Sequence, residues 1–233
     1  MKPDPAGAGQ HRSVTEVLTG IDTVVVDLDG TLVDSNYVHV VAWREAFRDV
    51  GLDIPSHRIH ALIGMGGDQL VERVAGEAVE RNVGDEVRRR HQVHLTERAG
   101  IVSATEGASE LIELLRDRGV RVVLASSSEQ QITDRFLELV EGASGMLTAA
   151  ITGDDVSRSK PHPDLIQVAL EEVEAGKAVV VGDTVWDIEA ATAARVPCIA
   201  LLTGGIPERD LREAGAVMVF ENPRDLARTL RNS

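Results

Sequence analysis

The sequence has one cysteine, few aromatic residues and almost no lysine. A single cysteine among 233 residues excludes a disulfide framework and a cysteine-ligated zinc site. It favours a reducing compartment, so we expect the protein in the cytoplasm. No stretch approaches the ~18 consecutive apolar residues of a membrane-spanning helix, and residues 1–20 lack the apolar run of a signal peptide. We therefore expect no membrane partner.

The chain also lacks an excess of positive charge. It carries 24 Lys and Arg residues against 38 Asp and Glu residues, for a formal net charge of −14. Such a field repels phosphate backbones, so we expect no nucleic-acid partner. Apolar residues make up 43 % of the chain, which excludes a disordered protein. Only three of the cations are lysines (Lys2, Lys160 and Lys177), so a lysine in a special setting is informative.

Short runs of apolar, largely β-branched residues alternate with helical patterns along most of the chain. This alternation predicts an α/β fold in which helices cover both faces of a parallel sheet. The expected strands lie at 23–28, 120–125, 146–151, 178–181, 198–202 and, more weakly, 216–220. Helical spacing between them favours crossover connections of the usual hand.

Residues 36–102 break the alternation, because they contain helical patterns and no convincing strand. Ser56 and Asp68 are candidate N-caps for two short helices in this stretch. A helical insertion after the first strand leaves the sheet at the end where open α/β sheets bind ligands, so it is a candidate lid. We expect a flexible tail at 1–20, a catalytic core at 21–35 and 103–233, and a helical cap at 36–102.

The first strand ends in two aspartates, Asp27 and Asp29, which are followed by Gly30. Residues two apart on an extended chain point the same way, so the two carboxylates share one side of the strand end. Two buried like charges are unfavourable unless a cation joins them. Mg²⁺ is the natural candidate, since it prefers oxygen ligands.

Further polar residues follow the other predicted strands. Hydroxyl groups come after the second strand, a lysine lies in a proline-bounded stretch before a predicted helix, and two more carboxylates follow the fourth strand. These residues are Ser126, Ser127, Lys160, Asp183 and Asp187. The carboxyl ends of parallel strands converge on one crevice. A carboxylate nucleophile, a metal and cationic or hydroxyl donors in such a crevice are typical of phosphoryl transfer.

Four segments in this order resemble the four motifs of the haloacid dehalogenase superfamily. They read DLDGTLVDS at 27–35, the strand end at Ser126, KPHPD at 160–164 and GDTVWD at 182–187. The motif order and the helical insertion are similar to the members with an α-helical cap, which include phosphoglycolate phosphatase-like hydrolases and β-phosphoglucomutase. The resemblance covers about residues 22–230 and implies a Rossmann-like core.

The resemblance implies a Mg²⁺-dependent phosphatase that hydrolyses a small-molecule phosphomonoester through an aspartyl-phosphate. Asp27 would be the nucleophile and Asp29 the general acid and base. Mg²⁺ would be held by the Asp27 carboxylate, the Asp29 backbone carbonyl and Asp183. The implied phosphate-binding residues are Ser126, Ser127 and Lys160, with Gly30 and Asp187 in supporting roles.

Two other functions stay open at this point. A sugar-phosphate mutase similar to β-phosphoglucomutase would use the same motifs, although the absence of lysine from 36–102 weakens that interpretation. A phosphoacceptor signalling receiver also combines clustered aspartates, a hydroxyl and a lysine on a parallel sheet, but without a helical cap. The histidines of 36–102 are interpreted as surface or packing residues. The sequence leaves the physiological ester, the cap specificity residues and the oligomeric state open.

Overall fold

The computed structural model describes residues 19–232, so the tail predicted at 1–20 lies almost entirely outside the described residues. A six-stranded parallel sheet forms the centre, in the order β3-β2-β1-β4-β5-β6. This confirms the predicted α/β class. The strands are β1 (Thr23–Val26), β2 (Arg121–Ala125), β3 (Ala149–Ile151), β4 (Ala178–Gly182), β5 (Cys198–Leu201) and β6 (Met218–Phe220).

The central strand β1 shows why both faces of the sheet are covered. Its residues are valine-rich and fully buried. Val24 and Val26 pack into one apolar cluster, whereas Val25 packs into another on the opposite face. Alternate residues of a strand point to opposite faces, so a run without polar residues is stable only between two helical layers.

Eleven α-helices are described in residues 19–232. They are α1 (Asn36–Asp49), α2 (Ser56–His60), α3 (Gly67–Ala75), α4 (Glu77–Arg98), α5 (Ala108–Asp117), α6 (Gln130–Leu137), α7 (Ala143–Met146), α8 (Asp164–Glu172), α9 (Val185–Ala193), α10 (Glu208–Ala214) and α11 (Pro223–Arg231). Apolar residues of α5, α6 and α11 cover one face of the sheet, and those of α8, α9 and α10 cover the other. No helix in this described range is long and apolar enough to cross a membrane.

Most predicted strand boundaries differ from the observed ones by one or two residues, and the largest difference is at the start of β3. The strand expected at 146–151 is shortened to β3, because the chain first makes the helical turn α7. Gly142 precedes that turn with a φ of 73°, a conformation that glycine adopts without strain. The helix-forming turn thus uses Met146, which the sequence pattern placed in the sheet.

The helices α1–α4 have an apolar cluster of their own, which includes Trp43, Phe47 and Leu70. The chain leaves the sheet and returns to it through two neighbouring segments, since the amide of Asp34 donates to the carbonyl of Ser103 at 2.9 Å. A separate apolar cluster in a stretch whose two ends lie side by side is typical of an inserted unit. The division at 36–102 itself stays a prediction.

The two predicted N-caps in this helical region are wrong. Pro55 and Gly66 occupy the N-cap positions of α2 and α3. Asp68 lies in the first turn of α3 and its carboxylate instead accepts hydrogen bonds from the backbone amide of Ser159, at 3.2 Å, and from the Ser159 hydroxyl. The side chain thus joins the helical region to the segment before Lys160 rather than capping its own helix.

Candidate active site

Three strand ends bring most of the predicted residues to one edge of the sheet. β1 is the central strand, with β2 and β4 on either side of it. Asp27 follows β1 directly, Ser126 follows β2 and Asp183 follows β4. The connection from β1 leads to β2 and the connection from β4 leads to β5, on opposite sides, so the crevice between β1 and β4 is where open α/β sheets bind ligands.

The ammonium group of Lys160 lies between two of the carboxylates. Its Nζ donates to Oδ1 of Asp27 and is 2.8 Å from Oδ1 of Asp187. All three side chains are buried, and Lys160 exposes only 2 % of its surface. A buried ammonium persists only when it is paired, and this one is paired twice.

Asp187 is fixed by the start of helix α9. Its Oδ2 accepts the backbone amide of Thr184 at 3.0 Å and the Thr184 hydroxyl at 2.7 Å, and the Thr184 side chain caps the helix in return. This reciprocal capping box leaves Oδ1 of Asp187 directed at Lys160. Asp187 thus lies beside the Lys160 ammonium, and its supporting role stays a prediction.

Asp183 is held by residues of the loop after β1. Its Oδ1 accepts the Thr31 hydroxyl at 2.8 Å, and its Oδ2 accepts Nδ2 of Asn36 at 2.7 Å. Gly30 has a φ of 81°, and a Cβ at this position would overlap Oδ2 of Asp183 and Nδ2 of Asn36. Glycine is therefore required at position 30 both for the turn and for the approach of Asp183.

The second carboxylate of the first motif, Asp29, has a full set of hydrogen-bond donors. Its Oδ1 accepts the Ser35 hydroxyl at 2.6 Å and faces Nε2 of His39 at 3.0 Å, and its Oδ2 accepts the Ser128 hydroxyl at 2.8 Å. Burial raises the pKa of Asp29, but His39, Ser35 and Ser128 outweigh it and lower the pKa to about 2. The carboxyl group is therefore ionised at neutral pH.

The pKa values of Asp27 and Asp183 are raised, in the direction opposite to the pKa of Asp29. Burial raises the pKa of Asp27 to about 7, against the attraction of Lys160 and with the repulsion of Asp187 and Asp29. Burial also raises the pKa of Asp183 well above its ordinary value, and the charges of Asp187 and Asp27 raise it further. Three carboxylates against one ammonium leave two uncompensated negative charges, which a divalent cation would balance.

The residues present fit a divalent metal ion. Oxygen atoms of Asp27, Asp183 and Asp187 lie within 4.8 Å of one another, and all three residues are buried. Among the described residues, Oδ1 of Asp187 has no well-aligned hydrogen-bond donor despite the nearby ammonium, so it keeps a lone pair for a cation. An all-oxygen donor set of this kind suits Mg²⁺. The Asp29 carboxylate does not belong to this group of oxygens, and the prediction for that residue concerns its backbone carbonyl.

These raised pKa values give a prediction for the metal-free protein. The pKa of Asp27 is about 7 in the folded protein and its ordinary value is 3.8. The protonated carboxyl group therefore stabilises the folded protein fully below pH 4, and this contribution is lost as the pH rises through 7. We expect the metal-free protein to lose about 2 kcal/mol of unfolding free energy from this group between pH 5.5 and pH 8. Urea unfolding in EDTA at pH 5.5 and pH 8 measures the difference.

Two controls separate the acidic cluster from other titrating groups. Saturating Mg²⁺ should shrink the difference, because the cation favours the ionised carboxylates. The Asp27→Asn variant should show a smaller pH dependence, since the titrating group is gone. A metal-free protein that is more stable at pH 8 than at pH 5.5 would contradict the prediction.

A cavity of about 250 Å³ opens beside the carboxylates. Its walls come from both parts of the molecule. The core supplies Asp27, Asp29 and Ser127, and the helical region supplies a second wall that includes Trp43 and Arg88. A cavity of this size accepts a small organic molecule.

The two predicted serines occupy different positions. Ser126 is fully buried and its Oγ accepts the backbone amide of Ser128 at 3.1 Å. Ser127 lines the cavity and its Oγ donates to the carbonyl of Gly64 at 3.4 Å. The third serine of the run, Ser128, is the one that contacts Asp29, and it was not among the predicted site residues.

Besides Ser35, Ser128 and Thr184, sequence reasoning missed four residues that contact the site carboxylates directly or through one side chain. They are Thr31, Asn36, His39 and His91. Thr31 and Asn36 had a signal, since both lie within nine residues of Asp27 in the polar segment after β1. The histidines had no sequence signal apart from their residue type, because their contact with each other depends on how α1 packs on α4.

Comparison with known proteins agrees with this geometry. The model of the haloacid dehalogenase-like hydrolase family matches residues 21–195. A plasmid phosphoglycolate phosphatase of Cupriavidus necator is 31 % identical over 180 residues, covering 75 % of this chain and 78 % of its own length. The pyrophosphatase PpaX of Oceanobacillus iheyensis is 27 % identical, covering 78 % of this chain and 83 % of its own.

A solved structure is similar over nearly the whole fold. The crystal structure of a hydrolase from Pseudomonas syringae has a TM-score of 0.85 at 31 % identity, and the alignment covers 90 % of this chain and 98 % of that one. All four segments that carry the site, from Asp27 to Asp187, lie within the residues that the family model matches. Their shared crevice and this match place the chain in the haloacid dehalogenase-like hydrolase family.

Proposed function

We propose that this hydrolase is a Mg²⁺-dependent phosphatase that cleaves a small phosphomonoester through an aspartyl-phosphate on Asp27. The observation that carries the proposal is the placement of two carboxylates in one pocket with different hydrogen-bond partners. Asp27 is buried against the ammonium of Lys160, while Asp29 lies two residues away with its own hydrogen-bond donors. A nucleophile and a separate proton-transfer group are what a two-step hydrolysis requires.

In the first step, a carboxylate oxygen of Asp27 attacks the phosphorus atom and the bond to the ester oxygen breaks. Asp29, which is ionised in the free protein, takes up one proton as the negatively charged ester binds beside it, and the departing alkoxide receives that proton. In the second step, water attacks the phosphorus atom of the aspartyl-phosphate and Asp29 takes back a proton. Inorganic phosphate leaves and Asp27 is regenerated, so one ester and one water give one alcohol and one phosphate.

The remaining residues support this reaction by binding and orientation. Lys160 balances the charge of Asp27 and lies where it would contact a phosphoryl oxygen, and Asp187 orients it. Ser126 and Ser127 follow β2 at the same edge and are the proposed hydroxyl and amide donors. Asp27, Asp183 and the backbone carbonyl of Asp29 would hold Mg²⁺, which when bound offsets the negative charge of the phosphoryl group.

The helical region at 36–102 is the proposed cap that selects the alcohol part of the substrate. It supplies one wall of the cavity, and the Asp68 carboxylate binds it to Ser159 of the core. The curated relatives act on phosphoglycolate or pyrophosphate according to their names, and both are small. A cavity of about 250 Å³ supports a small phosphate ester as the substrate, and the single buried cysteine favours a reducing compartment.

A phosphate-release screen tests the proposal. The purified protein with Mg²⁺ should release phosphate from p-nitrophenyl phosphate and, more efficiently, from at least one ester in a panel of glycolate, sugar, nucleotide and polyol phosphates. Contacts to the phosphoryl group, which all these esters share, give a basal activity. Contacts between the cap and the alcohol part of the physiological substrate raise that activity. Malachite-green detection of phosphate measures the outcome.

Two results would argue against hydrolysis. Isomerisation of a sugar phosphate after priming with a bisphosphate, with little phosphate released, would indicate a mutase. A long-lived acyl phosphate on Asp27 with no catalysed release would indicate a phosphoacceptor receiver.

A further inference from the structure

Two histidines of the helical region form a line of contacts that ends on Asp29. His39 lies in α1 and His91 lies in α4. Nε2 of His39 is 3.0 Å from Oδ1 of Asp29, and Nδ1 of His39 is 3.1 Å from Nε2 of His91. Both histidines are buried, so water does not compete for these contacts.

Aromatic packing restrains both imidazole rings. The ring of His91 stacks on Trp43 with centroids 3.8 Å apart and an interplanar angle of 9°. The ring of His39 meets Phe136 edge to face at 6.2 Å and 84°. Rings held on two sides in this way cannot rotate freely, so the nitrogen atoms keep their directions. Burial lowers the pKa of His91 well below its ordinary value, which keeps this ring neutral.

The two oxygens of Asp29 are used unequally. Oδ1 receives the Ser35 hydroxyl and His39, which occupies both of its lone pairs. Among the described residues, Oδ2 receives only the Ser128 hydroxyl, so it keeps one lone pair, and Asp29 lines the cavity. A proton exchanged with substrate or water must therefore move through Oδ2.

We propose that His39 is a positioning residue for Asp29, that His91 holds His39 in place, and that Oδ2 is the oxygen through which Asp29 transfers the proton. The proposal rests on the function proposed above for Asp29. A carboxylate only accepts hydrogen bonds, so the hydrogen between the two side chains belongs to Nε2 of His39. This donor, together with Ser35, turns the carboxylate so that Oδ2 points at the substrate.

The leaving group of the substrate provides the test. An alkoxide departs only with a proton, whereas p-nitrophenolate departs without one, so a misdirected Asp29 should slow only alkyl esters. The value of kcat/KM reports the first chemical step alone in a two-step reaction. We expect His39→Ala to lower kcat/KM about 10–100-fold for an alkyl phosphate such as glycerol 1-phosphate and less than about threefold for p-nitrophenyl phosphate.

Three further variants sharpen the measurement. His39→Gln keeps an N–H donor and should recover part of the loss. His91→Phe keeps the stacking on Trp43 but removes Nε2, so it should reproduce the selective loss to a smaller extent. His94→Gln is the matched control, because His94 lies on the same helix, contacts Asp49 and Glu45 instead, and should behave as wild type.

An equal loss for both substrates in His39→Ala would indicate a structural role and would overturn the proposal, as would no loss for either. A second measurement is independent of activity. Long-range ¹H–¹⁵N correlation spectra of the wild-type protein should show His39 protonated at Nε2, and a His39 ring without hydrogen at Nε2 would also overturn the proposal. A protein that hydrolyses neither ester contradicts the proposed function, and the spectra then decide the contact between His39 and Asp29 by themselves.

Discussion

Replacing Asp27 with asparagine is expected to abolish turnover and leave the fold intact. The amide lacks the anionic oxygen that attacks phosphorus, and removal of a nucleophile that acts in one unit with its partners costs on the order of 10⁴–10⁶ in kcat. Lys160 keeps Asp187 as a partner in the variant, and one of the mutually repelling carboxylates is removed. Phosphate release from p-nitrophenyl phosphate measures the loss, and circular dichroism measures the fold.

Asp22→Asn is the matched control for this variant. Asp22 precedes β1 at the opposite edge of the sheet, where it pairs with Arg121 at 3.0 Å. It should keep wild-type turnover, because nothing at that edge reaches the cavity. If Asp27→Asn retained wild-type activity, the aspartyl-phosphate mechanism would be wrong, whatever the behaviour of the control.

The fold was predictable from sequence because its signals are local and consistent. A run such as Thr23–Val26 has β-branched residues at every position, which is compatible only with a strand buried on both faces. Boundaries were less predictable where packing overrides local preference. Glycine weakens a helix interior and often marks a helix end, yet α4 continues through Gly84. Contacts with α1 and α3 stabilise the helix in spite of that glycine.

Site residues were predictable where the strand order of the sheet alone determines their positions. Parallel strands carry their end residues to one edge, so Asp27 and Asp183 had to approach each other once the strand order was known. The contact of His39 with Asp29 has a different origin. It requires α1 to return over the loop and α4 to pack beside it, which no short sequence pattern specifies. Side-chain partners across separate helices therefore come from tertiary packing.

Removing divalent metal with EDTA is expected to reduce phosphate release to the background rate, and added Mg²⁺ should restore it. Asp27, Asp183 and Asp187 place three buried carboxylates within reach of one ion, and a phosphate ester would bring further negative charge to the same place. Without a cation, these charges oppose both substrate binding and the approach of the nucleophile. Titration of the EDTA-treated protein with Mg²⁺, followed by phosphate release, measures the recovery.

Asp183→Asn should prevent that recovery. It should also prevent the stabilisation of the folded protein by Mg²⁺, which can be measured without substrate. Mg²⁺ at about 100 times its dissociation constant stabilises the folded protein by about 2.7 kcal/mol, which corresponds to a rise of roughly 5–10 °C in Tm for a chain of this size. The wild type and a control variant, Asp164→Asn, should both show the rise, since in the described part of the chain Asp164 pairs with Arg158, outside the cluster. Full activity in EDTA, or an equal rise of Tm in Asp183→Asn, would remove the metal from the proposed mechanism and leave Lys160 as the sole partner of the nucleophile.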